Sequence, residues 1–325
     1  MGSKRNSLGS LLVLLLLFFG MLAFYFLFYK PEITKKEKSD SVSLFENFNK
    51  QDVHEIDIQF IDGTNVYKTR LENVSNRWKI LYPVVEEAEE NSVFRILEDI
   101  PGIKSSKVYR NVDSGKLKEY GFLNPRISLK MSFKDSNSIE LFVGDKTPAE
   151  DFYYAMIGSN SNIVYLVYAY KFLSIEKKTD DFRKKEIFSI QPQSVDKLVI
   201  EEKGKKPLIF MRLITNQVET YEAISPVKRK LDNFKVKTFL MNITSLSISH
   251  FYYGKLDDYA MRRYGLFGGD INITLYGNGG KDIEKLTIGR EFERGFRSAF
   301  HHQKKMLFFI DNTELTNIDP KLLID

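Results

Sequence analysis

Two periodicities alternate along this chain, and the same order of them occurs twice. From Val53 the spacing is that of a strand: Val53, Ile56, Ile58 and Phe60 precede Asp62-Gly63, a strong hairpin signal, and residues 66–71 continue as a second strand. Residues 78–81, Trp-Lys-Ile-Leu, predict a third strand, closed by Pro83. The period then lengthens. Glu86, Glu87, Glu89 and Glu90 precede Val93, Phe94, Ile96, Leu97 and Ile100, an amphipathic helix with acid at its amino end and Pro101-Gly102 at its stop. Residues 116–120 predict a short helix ended by Gly121, and residues 127–133, 139–143, 153–157 and 163–167 alternate as strands before Phe172-Leu173 opens a closing helix.

The second half repeats this order. Residues 195–200, 208–213 and 220–224 read as strands, the last followed by Pro226, and Phe234, Val236, Phe239, Leu240 and Ile243 recur at helical spacing. Residues 256–264 predict the short helix, ended by Gly265, and residues 271–275, 286–288, 296–300 and 306–310 the closing strands, with the copy ending near Ile318. The landmarks themselves recur. Val53 to Ile58 returns as Val195 to Ile200, Trp78 and Pro83 as Tyr221 and Pro226, Tyr120-Gly121-Phe122 as Tyr264-Gly265-Leu266, and Phe142-Val143-Gly144 as Thr287-Ile288-Gly289. The offset drifts from 142 to 145 residues, one residue per landmark, as two copies of one fold would show after small loop insertions. The expected class is α+β with mainly antiparallel sheets: an α+β repeat domain over residues 51–190 and another over 191–325, with Gly121 superposing on Gly265 and Gly144 on Gly289.

Residues 11–29 are an uncharged run dense in Leu and Phe, long enough at 1.5 Å per residue to span roughly 28 Å of hydrocarbon. This predicts a single transmembrane helix, a signal anchor, after a cytoplasmic tail of residues 1–10 and before a polar stalk of residues 30–50. Lys4 and Arg5 give a signal-like start, but no small-x-small cleavage site follows before Lys30. Lysines flank both sides, so charge does not orient the helix. Signal-anchor order and the large body that follows place that body on the periplasmic, extracytoplasmic side of the cytoplasmic (inner) membrane.

Composition removes several function classes. There is no cysteine, which excludes disulfides, thiolate metal sites, a cysteine nucleophile and a lipidated cysteine. A net charge of +5 from 48 basic and 43 acidic residues, spread along the chain, lacks the concentrated basic face that nucleic acid requires.

Candidate chemistry is sparse. His301-His302 with Glu291 and Glu293 nearby are zinc-type ligands, but adjacent strand residues point to opposite faces, so both histidines do not readily share one ion. The run Glu86-Glu87-x-Glu89-Glu90 has the composition of a calcium site or an acid/base pair, and equally that of ordinary dipole compensation in a first helical turn. At the same place in the second half stand Lys228, Arg229 and Lys230, an electrostatic contrast and not a shared catalytic set. The Tyr-Gly pairs read as helix stops, with Gly in the left-handed conformation. Gly144 and Gly289 read as turn residues ending strands, and Gly277-Asn-Gly-Gly280 opens no long helix and is no phosphate cradle. Phe152-Tyr153-Tyr154 and Phe251-Tyr252-Tyr253 have stacking chemistry for sugars or peptides, although cross-strand packing is the commoner use. No catalytic, cofactor or metal residue is assigned.

Trp78-x4-Pro83, the helix, Tyr120-Gly-Phe-x-x-Pro125, Leu141-Phe-Val-Gly144, Val164-Tyr-Leu-Val167 and Asp181-Phe-Arg-Lys184 together resemble the bacterial domain-of-unknown-function family numbered 4340. The resemblance covers most of residues 52–190, with a weaker second copy over 194–320, where Tyr221 replaces Trp and Gly268-Gly269 stand where Pro is expected. It implies a membrane-anchored envelope protein found with gliding-motility-type ABC transport systems, and a second copy that has kept the fold and lost a surface function. The expected role is a non-enzymatic accessory or scaffold subunit whose partners are the bilayer, through residues 11–29, and an ABC-type permease and ATPase. The alternatives are an enzyme acting on an envelope polymer and a glycan- or lipid-binding protein.

Overall fold

The computed structural model describes residues 15–21, 41–45, 49–158 and 162–324. Within them the chain divides into two compact units, Met1–Phe182 and Arg183–Asp325.

Each unit holds one nine-stranded, wholly antiparallel sheet with helices packed on it, the expected mix of antiparallel sheet and helix. In the first unit the strands are β1 (Val53–Asp62), β2 (Asn65–Val74), β3 (Arg77–Tyr82), β4 (Glu86–Glu87), β5 (Lys107–Tyr109), β6 (Ile127–Phe133), β7 (Ser138–Lys146), β8 (Phe152–Ile157) and β9 (Val164–Tyr168), in the spatial order β4-β3-β2-β1-β6-β7-β8-β9-β5. The helices α1 (Glu90–Asp99) and α2 (Ser114–Glu119) lie in the long excursion before β6, which returns to pair with β1. In the second unit β10 (Val195–Glu202), β11 (Leu208–Thr215), β12 (Val218–Ser225), β13 (Arg229–Leu231), β14 (His250–Phe251), β15 (Ile271–Gly277), β16 (Asp282–Glu293), β17 (Phe296–His301) and β18 (Met306–Asp311) take the order β13-β12-β11-β10-β15-β16-β17-β18-β14. Helices α3 (Asn233–Thr244) and α4 (Asp258–Arg263) occupy the positions of α1 and α2. Strand for strand, the two orders are the same.

Alternation explains where the cores sit. Ile56, Ile58 and Phe60 of β1 and Ile127, Leu129 and Met131 of β6 point to one face of the first sheet, where Val93, Ile96 and Leu97 of α1 meet them; all are buried. In the second unit Leu198 and Ile200, Ile273 and Leu275, and Val236, Phe239, Leu240 and Ile243 of α3 build the equivalent layer. Each such side chain contributes about 1.5–3 kcal/mol by leaving water. The second unit adds a smaller cluster on the opposite face of its sheet, where Tyr264 and Leu266 after α4 cover Leu307 and Phe309.

Several expectations need correction. Glu86 and Glu87 do not begin the helix: they form β4, in register with Ile80 and Lys79, and the first turn holds only Glu90, with the Glu89 carboxylate capping it by accepting the Asn91 N–H. The helix expected from Phe172 is a single 3-10 turn, Ala169–Phe172, and the second copy runs past Ile318 to a short helix, Lys321–Ile324, with Leu323 in the core. The unit boundary falls at Phe182/Arg183, whereas the pattern placed it at 190/191. Ile187, Phe188 and Ile190 pack into the second core, and the Ser189 N–H donates to Glu284 at 3.0 Å. Of the span expected to cross the membrane, residues 15–21 are described and helical, with exposed side chains; the rest lies outside the described residues. Among the described residues no helix is long and apolar enough to cross a membrane.

Candidate functional site

The repeat landmarks occupy matching positions in the two sheets. Trp78 and Tyr221 are both buried, 3% and 1% exposed, each on the third strand of its sheet. The Tyr221 hydroxyl donates to Glu219 at 2.8 Å, and burial together with that carboxylate raises its pKa well above the usual phenol value. The peptide bonds before Pro83 and Pro226 are both cis. Gly121 and Gly265 follow α2 and α4 with φ of +83° and +68°, the left-handed stop expected of them.

Gly144 and Gly289 are not turn residues. Both are buried inside strands, β7 and β16, and both face the Tyr-Gly corner of their own unit. A Cβ on Gly144 would lie 2.0 Å from the Tyr120 carbonyl oxygen, and one on Gly289 2.2 Å from that of Tyr264. The next residue bonds to the same carbonyl: Asp145 N–H donates to Tyr120 O at 2.9 Å, and Arg290 N–H to Tyr264 O at 3.2 Å. Tyr-Gly and Val-Gly (Ile-Gly in the second unit) are thus two halves of one clasp tying the second helix to the sheet.

Against this shared frame the charges differ. Lys79 faces Glu87 across β3 and β4, while Glu222 faces Lys230 across β12 and β13 in the same register. Arg126 at the start of β6 binds Glu176 at 3.0 Å, with the Tyr153 hydroxyl donating to the same carboxylate, whereas Asp270 at the start of β15 binds Arg297. Each unit thus keeps one base facing one acid at the β3–β4 or β12–β13 pair, with the two charges exchanged between the strands.

The sharpest difference lies on the outward face of the first sheet. Strand register lines up Tyr82, Arg70, Asp57, Lys130 and Glu140 in one row across β3, β2, β1, β6 and β7. Lys68, Gln59, Ser128 and Phe142 form the row beside it. Together they line an open groove of about 560 Å³. Arg70 Nε donates to Asp57 at 2.7 Å, which raises the Arg70 pKa, and the remaining charges alternate across the row. At the same register the second sheet carries Ser225, Ile209, Val199, Thr274 and Lys285. The charged row belongs to the first unit alone. Pattern reading of single strands could not find it, because each member is an unremarkable polar residue until the strand order makes them neighbours. The second unit has its own groove, of about 580 Å³, around Arg297, Asp270 and Glu202.

The histidine pair separates as strand geometry requires. His301 turns into the core, 1% exposed, with Nε2 3.4 Å from Glu284 and Nδ1 accepting the Lys304 N–H. His302 faces the other way, Nε2 2.8 Å from the Thr287 hydroxyl, with its pKa lowered by burial and by Lys285. Glu291 and Glu293 sit beyond the bulge of β16, opposite Arg297 and Phe296. Burial opposes ionisation of Glu284, but the His301 ring and the Ser189 N–H outweigh it and lower its pKa. Lys304 Nζ donates to the carbonyls of Glu186 and Ile187. These contacts pin the segment that leads into the second unit ahead of β10. Among the described residues no group of three or more His, Cys, Asp or Glu is placed to hold a metal ion.

The aromatic triplets also diverge. Tyr153 is core, while Tyr154 stacks on Tyr120 at 4.0 Å and Phe152 lies 4.3 Å from Tyr168. Phe251 is buried on β14, and Tyr253 is exposed in the loop after it.

Comparison with known proteins gives one match. The model of the family described as Domain of unknown function (DUF4340) matches residues 78–267, from Trp78 to just past the second Tyr-Gly corner, so that it takes in parts of both units and not the first alone. No curated protein and no solved structure matches the chain.

Proposed function

This chain belongs to the DUF4340 family, and from that premise we propose that it is a non-enzymatic, single-pass envelope protein that serves an ABC-type, gliding-motility-like membrane complex as an accessory or scaffold subunit. Residues 11–29 anchor it in the cytoplasmic membrane, residues 30–50 hold the body off the bilayer on the extracytoplasmic side, and the two units are copies of one ancestral domain. The first unit binds the partner and the second is the copy that kept the frame and lost the surface.

The observation that carries this reading is the charged row Tyr82-Arg70-Asp57-Lys130-Glu140, present on the first sheet and replaced by Ile209, Val199 and Thr274 on the second. Alternating charges beside Tyr82 and Phe142, with Arg70 and Lys130 exposed and Asp57 and Glu140 half-buried, suit recognition of a complementary protein face, where charge pairs set register and specificity. The groove is open and its Asp57 is already engaged by Arg70, an arrangement for docking and not for proton transfer. Arg70→Glu with Lys130→Glu reverses two exposed charges of the row and leaves the core untouched. In cells, the double variant should keep wild-type abundance and lose its co-purifying membrane partners. Partners retained at wild-type level would remove the groove from the account.

A further inference from the structure

Along the β9–β5 edge of the first unit runs a strip of exposed and half-buried aromatic and basic side chains that the charged groove does not use. Phe152 lies 4.3 Å from Tyr168, and Tyr168 lies 5.7 Å from Tyr170. Tyr168 is 43% exposed, Tyr170 59% and Leu173 62%. Tyr170 and Leu173 are three residues apart across the 3-10 turn Ala169–Phe172, where side chains at that spacing eclipse, so both project on one side. Lys171 places its ammonium 5.2 Å over the Tyr170 ring, and Lys107 of the neighbouring strand does the same over Tyr109. Solvated rings and an exposed leucine at a sheet edge contribute nothing to the core. Tyr and Lys together, with a protruding apolar side chain, match the chemistry of the bilayer interface, where an amphipathic ring sits at headgroup level and a lysine reaches the phosphates.

The position of this strip relative to the start of the fold selects the occupant. Ser105 N–H donates to the Val42 carbonyl at 2.9 Å, and Ser106 N–H to that of Leu166 at 2.7 Å. Lys107 is paired with Leu166, so the chain at Ser105–Ser106 runs between the end of β9, which closes at Tyr168, and Val42. At ordinary strand spacing Val42 and Tyr168 are then roughly 10 Å apart. The chain therefore enters the first unit beside the aromatic strip. Residues 30–40 separate the apolar run from Ser41, and even fully extended they reach no more than about 40 Å. Resting on the anchoring reading above, we infer that the edge carrying Tyr168, Tyr170, Lys171 and Leu173 docks on the surface of the bilayer that holds residues 11–29. The docked edge fixes the orientation of the first unit and turns the groove, several strands away, toward a membrane partner.

The chain has no cysteine, so one introduced thiol is a unique label site. Full-length Tyr170→Cys and Leu173→Cys, each carrying an environment-sensitive fluorophore, are reconstituted into vesicles of equal parts phosphatidylcholine and phosphatidylglycerol. Val66→Cys is the reference; that residue is 52% exposed on β2, six strand spacings or roughly 29 Å from β5. Because all three positions are exposed, the variants should unfold at the wild-type temperature, and either strip position alone suffices if the other misfolds. The protein should float with the vesicles, and labels at 170 and 173 should shift to the blue and be quenched by lipids bearing a nitroxide on the acyl chain, while the label at 66 reports water. If the protein floats but 170 and 173 behave like 66, the docking is wrong and the anchor stands. If it does not float, the anchor is wrong and the docking falls with it.

Discussion

Replacing Gly144 by Ala should damage the first unit more than any ordinary glycine substitution, and the structure gives the size of the effect. The added Cβ would stand 2.0 Å from the Tyr120 oxygen, so the corner must move by about 1 Å or more to restore a normal contact. That oxygen accepts the Asp145 N–H at 2.9 Å, and a displacement of this size breaks the bond. Overpacking costs about 1–3 kcal/mol and the lost hydrogen bond about 1 kcal/mol, roughly 2–4 kcal/mol together. At about 4 °C per kcal/mol for a unit of this size, the melting temperature should fall by about 8–16 °C. Thermal unfolding followed by circular dichroism measures this directly. Gly102→Ala is the control: nothing lies within 4 Å of its Cβ, and it should change stability by no more than about 1 kcal/mol. Gly289→Ala should repeat the loss in the second unit, where the Cβ meets Tyr264 O at 2.2 Å and Ser298 Oγ at 2.6 Å. A Gly144→Ala protein that melts with Gly102→Ala would refute the clasp.

Trp78→Ala should cost about 3–5 kcal/mol through lost burial and the cavity left behind, and any loss of function in cells should track abundance; an unchanged melting temperature with lost partner binding would make Trp78 a contact residue instead. Glu284 has a folded pKa below the ordinary glutamate value, so its contribution is fully present above that ordinary value and is lost as pH falls through the lower folded pKa. Glu284→Gln should therefore be less stable than wild type at neutral pH and converge on it in acid, read from melting temperatures across the carboxylate range; a difference independent of pH would separate Glu284 from the His301 and Ser189 contacts.

Much of this fold was legible because alternation is a local signal. All the long strands, α1 and α3, and the left-handed stops at Gly121 and Gly265 follow from period and turn chemistry within a dozen residues. What escaped depends on partners distant in sequence. β4, β5, β13 and β14 are two or three residues long and exist because a neighbouring strand offers a free edge, so no period announces them, and Glu86-Glu87 reads in the sequence as part of the helix that follows. Gly144 resembles a strand-ending glycine until Tyr120 is brought against it. The charged row is the same lesson at the candidate site: Arg70, Asp57, Lys130 and Glu140 align only once β1 is known to lie between β2 and β6. His301 and His302 were separable beforehand, since strand parity alone sends them to opposite faces.

The role proposed for the whole chain turns on what it holds in the membrane. Full-length protein, tagged at its C-terminus and extracted from native membranes in mild detergent, should retain an ABC-type permease and its ATPase in amounts comparable to its own, identified by mass spectrometry of the eluate. Recovery of the protein with neither subunit, under conditions that keep that transporter assembled, would contradict the account.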